Sequence, residues 1–177
     1  ALTSVVFKAT KTDADATYKI ISLTVNGKVS TTGDFNQNIA NPDELDGTAT
    51  WTPAAATDET YSILSGKNIN VAQDPGTYLT GVESADGAST ALLLIPQGVN
   101  ANTTVTITYT KKTGSNTSNG TAEIKLIDFV HGTDTHVGAW AMGYRYVYNI
   151  IFGANKPIYF SPEVEKDWTD IDLNYTI

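Results

Sequence analysis

The segment Tyr144–Phe152 alternates between two faces with a period of two residues, and this alternation constrains the fold more than any other feature. That period is typical of a β-strand. Every second residue contributes to a face that is wholly apolar or aromatic: Tyr144, Tyr146, Tyr148, Ile150 and Phe152. A strand of this kind is stable only if a second layer covers that face, so the rest of the chain must supply one.

The size and charge of the chain narrow the choice of fold and partner. Its 177 residues suffice for one sizeable core, which predicts a single domain over residues 1–177. The net charge of -8, with Arg145 as the single arginine, argues against nucleic-acid binding, which needs a basic face. Because cysteine is absent, neither disulfides nor thiolate metal sites can hold the fold together. The longest apolar run, Ala91–Ile95, is too short to span a membrane.

The first third of the chain predicts strands joined by a tight turn. Ser4–Ala9 alternates as a half-buried strand, and Lys19–Val25 follows with Ile21, Leu23 and Val25 on one face. Asn26-Gly27 is the strongest two-residue hairpin signal in the sequence, because both residue types tolerate positive φ. It predicts a return strand over Lys28–Thr32.

The next segment, Gly33–Pro53, mixes asparagine, aspartate, glycine and proline with little periodicity. It reads as an extended loop that carries one brief strand over Thr48–Trp51. Trp51 is the large apolar group there, and the preferred interpretation is that it fills one end of the core. A role as an exposed ligand platform is the alternative.

Three further segments define the middle of the chain. Ala91–Ile95 is apolar at every position, which predicts a strand that is buried on both sides or that enters the centre of the core. Thr103–Thr110 predicts a strand with threonines on its solvent-facing side. Its partner strand is predicted at Thr121–Leu126, after a flexible hairpin loop at Lys111–Gly120. No segment shows a helical period with caps. About ten short strands with turn-rich connections predict an all-β fold, an antiparallel β-sandwich, with a barrel as the alternative.

The C-terminal segment alternates cleanly at a free end. Its apolar face consists of Ile171, Leu173, Tyr175 and Ile177. Burying four such side chains is worth on the order of 6 to 12 kcal/mol before ordering costs. Two outcomes are open: the strand completes its own sheet, or it is added to the open edge of another subunit.

Candidate catalytic and metal-binding groups are few. His131 and His136 lie near Asp128 and Asp134, but their spacing matches no compact metal motif. A series of acids near the end is typical of a solvated strand face that discourages edge pairing: Glu163, Glu165, Asp167, Asp170 and Asp172. Neither a nucleophile elbow nor a phosphate loop is present. The sequence therefore predicts no enzyme activity, no metal and no cofactor.

Several short motifs, in order along the chain, resemble the fimbrillin family, the surface pilins and pilus-associated adhesins of Bacteroidetes. The opening Leu2-Thr3-Ser4-Val5-Val6-Phe7-Lys8 resembles the start of the family's C-terminal domain. The remaining motifs resemble an apolar strand ending in Ile-Pro-Gln and the family's closing pattern: Leu93–Gln97, Tyr146–Ile150, Pro157–Pro162 and Asp167-Trp168.

The resemblance implies a transthyretin-like β-sandwich that is exported as a lipoprotein precursor to the cell surface, where it forms part of a fimbrium at the outer membrane. Its partners would be other pilus subunits, joined by strand exchange, and host proteins or glycans. The chain departs from the family in two respects, since full members usually carry a further N-terminal sandwich and a lipobox cysteine. We therefore expect it to correspond to the C-terminal domain of a fimbrillin, or to a cleaved or short member of the family.

Two functions follow from these expectations. The first is a structural or adhesive pilus subunit that assembles by β-strand addition. The second is an extracellular module whose loops bind a glycan or a protein, with Trp51 and Trp140 as candidate stacking platforms.

Overall fold

A computed structural model describes residues 2–38, 48–81, 91–131, 135–136, 138–153 and 169–176. At residues 38, 48, 130–131, 135–136 and 169–176 it describes the backbone alone. The all-β prediction is confirmed, because the described residues form strands and one 3₁₀ turn, Leu126–Asp128. No helix in these ranges has the length and apolar character needed to cross a bilayer. The sequence also predicts a short strand at Ile158–Phe160, which lies outside the described residues.

The strands form a layered arrangement of hydrogen-bonded sheets. Numbered in chain order, they are β1 (Thr3–Lys11), β2 (Ala16–Val29), β3 (Gly33–Asn38), β4 (Thr48–Pro53), β5 (Thr57–Leu64), β6 (Ile69–Asn70), β7 (Thr77–Tyr78), β8 (Leu92–Leu94), β9 (Gln97–Gly98), β10 (Thr104–Thr113), β11 (Asn116–Lys125), β12 (Val130–His131), β13 (Thr135–His136), β14 (Ala139–Trp140), β15 (Tyr144–Phe152) and β16 (Thr169–Thr176).

The first sheet has the order β13-β12-β16-β15-β1-β7, with β8 also paired to β1. Its central strand, β15, has the bounds that the alternation of Tyr144–Phe152 predicts. It pairs in parallel with β1 on one side and with β16 on the other. The sheet is therefore mixed, and the antiparallel prediction does not hold for these two ladders.

The second sheet is antiparallel and has the order β11-β10-β2-β5, with β6 also paired to β2. Its long centre comes from β2 and β10, which pair from Asn26↔Thr104 to Ala16↔Thr113. Two short ribbons, β3 with β4 and β9 with β14, lie outside both sheets. Among the described residues the two large sheets share no strand, which is the arrangement of a sandwich rather than a barrel.

Aromatic side chains join the two sheets into one core. Phe152 of the first sheet lies with its ring centroid 4.9 Å from that of Tyr18 and 4.9 Å from that of Tyr109, both in the second sheet. Deeper in the core, Tyr148 stacks on Phe7 at 5.6 Å and meets Phe129 edge-on at 4.9 Å. The apolar face predicted for β15 is thus covered by a second layer, except at Tyr144, which is 37% exposed.

The predicted hairpin at Asn26-Gly27 is wrong, because β2 runs through both residues. Asn26 pairs with Thr104 on one side and with Thr60 on the other, so this dipeptide lies in a central strand. Gly27 has φ +142°, and a Cβ there would lie 2.6 Å from Cα of Thr103. The glycine therefore permits a close backbone approach rather than a turn.

A register irregularity in β2 changes which side chains point into the core. The pairing with β10 shifts between Thr108 and Tyr109, which leaves Ile21 as the extra residue. Tyr18 and Ile20 before it, and Leu23 after it, are buried, whereas Ile21 is half-buried. The predicted face of Ile21, Leu23 and Val25 is therefore interrupted at its first member.

Burial along three other segments also differs from the prediction. β1 is not half-buried, because Val6 on its outer face is as fully buried as Phe7. Ala91–Ile95 is not buried on both sides, since β8 is a short strand paired to β1 and Leu93 is 60% exposed. The predicted loop Lys111–Gly120 is largely strand: β10 and β11 continue to a turn at Gly114 and Ser115.

The strained position of Gly27 gives the first prediction. Replacing Gly27 with alanine is expected to lower the free energy of unfolding by about 3 kcal/mol, since the variant combines unfavourable φ with a clash against Thr103. Gly66 is the matched control: its φ is +63°, but nothing lies within 4 Å of the place that an added methyl group would take, so Gly66→Ala should cost about 1 kcal/mol. Chemical denaturation measures both, and equal losses would contradict the proposed role of Thr103.

The hydroxyl of Tyr18 gives the second prediction. It is buried and has no hydrogen-bond partner among the described residues, whereas the hydroxyl of Tyr148 accepts a hydrogen bond from Nε1 of Trp140 at 2.8 Å. Tyr18→Phe should therefore raise the free energy of unfolding by about 1 kcal/mol, and Tyr148→Phe should lower it by about 2 kcal/mol. A loss of stability in Tyr18→Phe, measured by denaturant titration, would show that its hydroxyl is satisfied.

Candidate functional site

The strand β16 contains the residues that the sequence indicates as a closing or donated strand. It lies along β15 in parallel register from Tyr144↔Thr169 to Ile151↔Thr176. On its other side the described residues contribute one register pair with β12, Val130↔Asn174. Most of its backbone pairing is therefore made with a single neighbour.

The register places the predicted apolar positions of β16 beside the core. Ile171, Leu173 and Tyr175 stand opposite Tyr146, Tyr148 and Ile150, and these three side chains of β15 are buried. Ile177 lies outside the described residues. Within this one chain, β16 pairs with its own β15, the first of the two arrangements that the sequence leaves open.

The β15 tyrosines are fixed by hydrogen bonds near the site where β16 pairs. The backbone N–H of Ala141 donates to the hydroxyl of Tyr146 at 2.7 Å. The indole Nε1–H of Trp140 donates to the hydroxyl of Tyr148 at 2.8 Å. Burial raises the pKa of both tyrosine hydroxyls, more strongly at Tyr148, and these hydrogen bonds oppose the change. Both hydroxyls therefore remain protonated at neutral pH, and they fix side chains of β15, the strand with which β16 pairs, rather than exchanging protons.

Trp140 has a structural position that the sequence did not predict. Its side chain is 2% exposed and belongs to the main core, so the proposed role as a stacking platform is wrong for this residue. The physical reason is its hydrogen bond to Tyr148, which satisfies the indole N–H inside the core.

Trp51 does not fill one end of the core, which corrects the preferred interpretation of this residue. It lies on β4, directly opposite Phe35 on β3, and the two ring centroids are 5.1 Å apart. Phe35 is 43% exposed, and Trp51 is half-buried. The sequence missed this pair because Phe35 falls in a polar segment that reads as a loop, although cross-strand aromatic pairs are a known stabilising feature of ribbons.

Gln97 is a second residue whose role the sequence did not reveal. Its buried side-chain amide pairs with the backbone of Ser30 as a neighbouring strand would. Oε1 accepts from the N–H of Ser30 at 2.7 Å, and Nε2 donates to the carbonyl of Ser30 at 2.9 Å. The Ile-Pro-Gln motif thus ties the chain after β8 to the end of β2. Beside the hydrogen bonds between Gln97 and Ser30 lies a depression of about 390 Å³, which is lined by β8, Ile95, Leu2 and Tyr61.

The candidate metal and acidic residues are not brought into a described site. β12 and β13 form a hairpin in which His131 pairs with Thr135 and Val130 with His136, but these side chains are not described. Asp134, Glu163, Glu165 and Asp167 lie outside the described residues, and Asp170 and Asp172 are described in backbone only. Where side chains are described, no three histidine, aspartate or glutamate residues lie close enough to hold a metal ion.

Comparison of the chain with protein-family models, with curated proteins and with solved structures found no match in any of the three.

Proposed function

We propose that this protein is a structural or adhesive subunit of a bacterial surface fimbria, and that it assembles by β-strand addition. The observation that carries the proposal is the attachment of β16, which rests on one long parallel ladder with β15. The same ladder could be made by β16 of another copy, because main-chain hydrogen bonds do not depend on which chain supplies the strand. The fimbrillin-like motifs of the sequence support the same role and a location at the outer membrane.

The side chains of β15, beside which β16 pairs, would give such an exchange its specificity. The acceptor surface presents buried Tyr146, Tyr148 and Ile150 at alternate positions of β15. A donated strand with apolar residues at every second position fits this surface in one register, since a shift of one residue would exchange its apolar and polar faces. The alternation Ile171, Leu173, Tyr175 meets that requirement.

A second candidate function is binding of a glycan by an extracellular β-sandwich module. The aromatic pair Phe35 and Trp51 favours it, because an accessible pair of rings on a two-stranded ribbon offers a surface on which a sugar ring can stack. Asn36 and Gln37 lie beside Phe35 on the same ribbon and supply amide groups suited to sugar hydroxyls.

The strand-addition proposal predicts that β16 can be replaced from outside. Deleting Asp170–Ile177 should abolish or greatly lower the cooperative thermal unfolding of the monomer, because the buried face of β15 loses its neighbour. A synthetic peptide with the sequence of Thr169–Ile177 should restore it, and a peptide with Leu173→Asp should not. Differential scanning calorimetry with each peptide provides the measurement. A deletion variant that keeps its full stability, or that ignores the peptide, would contradict strand addition.

The glycan-binding alternative predicts a change at Trp51. If sugars stack on this ribbon, saturating mono- or oligosaccharide should protect tryptophan fluorescence from acrylamide quenching. Phe35→Ala should remove that protection, since it deletes the facing ring 5.1 Å away, whereas Phe152→Leu in the core should not. Quenching that is the same with and without sugars across a broad glycan panel would remove this candidate.

A further inference from the structure

Among the described residues, the strand β11 forms one open edge of the second sheet. It lies outside β10 in the strand order, and nine of its ten residues are exposed or half-buried, Ile124 being the exception. An edge strand offers unpaired N–H and C=O groups along its length, and these can pair with a strand of another chain.

This edge lacks the features by which proteins usually prevent such pairing. From Asn116 to Ala122 it contains neither a charge nor a proline, and its pairing with β10 runs over the whole strand without a register shift. The opposite edge of the same sheet is different. There β5 carries Asp58 and Glu59, and its pairing with β2 is irregular near Leu23. The protection of one edge and not the other indicates that β11 is available for pairing.

The turn at Gly114 and Ser115 determines which backbone groups of β11 face outward. A two-residue turn closes on a hydrogen-bonded pair, here Thr113 with Asn116. Because hydrogen-bonded and outward-facing residues alternate, the groups that face away from β10 belong to every second residue: Thr117, Asn119, Thr121, Glu123 and Lys125. The side chains of these five residues are exposed.

The outer face of this sheet also carries unbalanced positive charge next to the edge. A shallow depression of about 180 Å³ is lined by Thr17, Lys19, Thr110, Lys112 and Thr117. Within the described part of the chain, neither Lys19 nor Lys112 has an ion-pair partner. Thr117 is the register partner of Lys112 and separates it from the open edge. The depression is therefore suited to a carboxylate that arrives from a strand added beyond β11.

We infer that β11 pairs with β11 of a second copy of this chain, antiparallel and about a two-fold axis at Gly120. In this register Thr117 stands opposite Glu123 of the partner subunit, and Asn119 opposite Thr121 of the partner subunit. Thr117 is a small residue, so the partner's Glu123 can reach across it to Lys112, whose backbone lies two strands, about 10 Å, away. The two-fold axis repeats this ion pair on the other copy.

Charge selects this register and this partner. A shift by two residues would bring Lys125 of the partner subunit opposite Thr117, next to Lys112, and like charges there would disfavour pairing. The net charge of -8 makes two copies repel in general. The first seven residues of β11 are uncharged, so this edge lets two copies meet with little repulsion. Backbone pairing along one strand edge is a small contact, so we expect weak association, with a dissociation constant on the order of 0.1 mM.

The experiment measures self-association of the full chain by sedimentation velocity up to about 1 mM, a range that covers weak dissociation constants. A reversible dimer is expected. Thr121→Pro removes an outward-facing N–H without removing a bond to β10, and it should abolish the dimer. Glu123→Lys should weaken it about tenfold, although this change reduces the net charge and would by itself favour association. The double variant Lys112→Glu with Glu123→Lys should restore the dimer.

Glu59→Lys on the edge strand β5 is the matched control, since it makes the same change of charge away from β11 and should not weaken the dimer. Circular dichroism confirms that each variant is folded. The inference is independent of strand exchange through β16, and the two are distinguished by the same set of variants. A chain that stays monomeric at the highest concentration overturns it. So does a dimer that is indifferent to Thr121→Pro and to charge reversal.

Discussion

The parallel ladder between β1 and β15 is the interaction on which the rest of the structure depends. It runs from Ser4↔Arg145 to Lys11↔Phe152, so it joins residues near the two ends of the described chain. Parallel strands cannot be connected by a tight turn, and here the intervening chain contains every strand of the second sheet. Formation of this ladder therefore completes the first sheet, which packs against the second, and it buries Phe7 against Tyr148.

Regular alternation allowed some elements to be predicted well. β15 has the expected bounds, and Val105 and Ile107 of β10 are buried while Thr104 and Thr106 remain partly exposed, as their spacing indicates. In both strands, one face is apolar over several successive positions, so local sequence and burial agree. The all-β class follows from such segments, because they dominate the chain and no helical period competes with them.

Other elements could not be predicted, because tertiary pairing outweighs local preference. Asn26-Gly27 has strong turn chemistry, but hydrogen bonds to β10 and β5 on its two sides keep the backbone extended. Leu93 belongs to a wholly apolar run, yet its side chain is 60% exposed, because no further layer of the described residues covers that face. Of the candidate site, the apolar spacing of β16 was visible in the sequence, whereas the exposure of Phe35 depends on where a polar ribbon lies relative to the sandwich.

The parallel order of β1, β15 and β16 also determines how the sandwich responds to tension. β1 begins at one end of the ladder and β16 finishes at the other, with β15 between them. A pull that separates the start of β1 from the end of β16 acts along the strands, in shear. All the hydrogen bonds of a ladder then carry the load together instead of opening one after another. A domain with this connectivity resists stretching through its backbone, whatever the side chains on its surface.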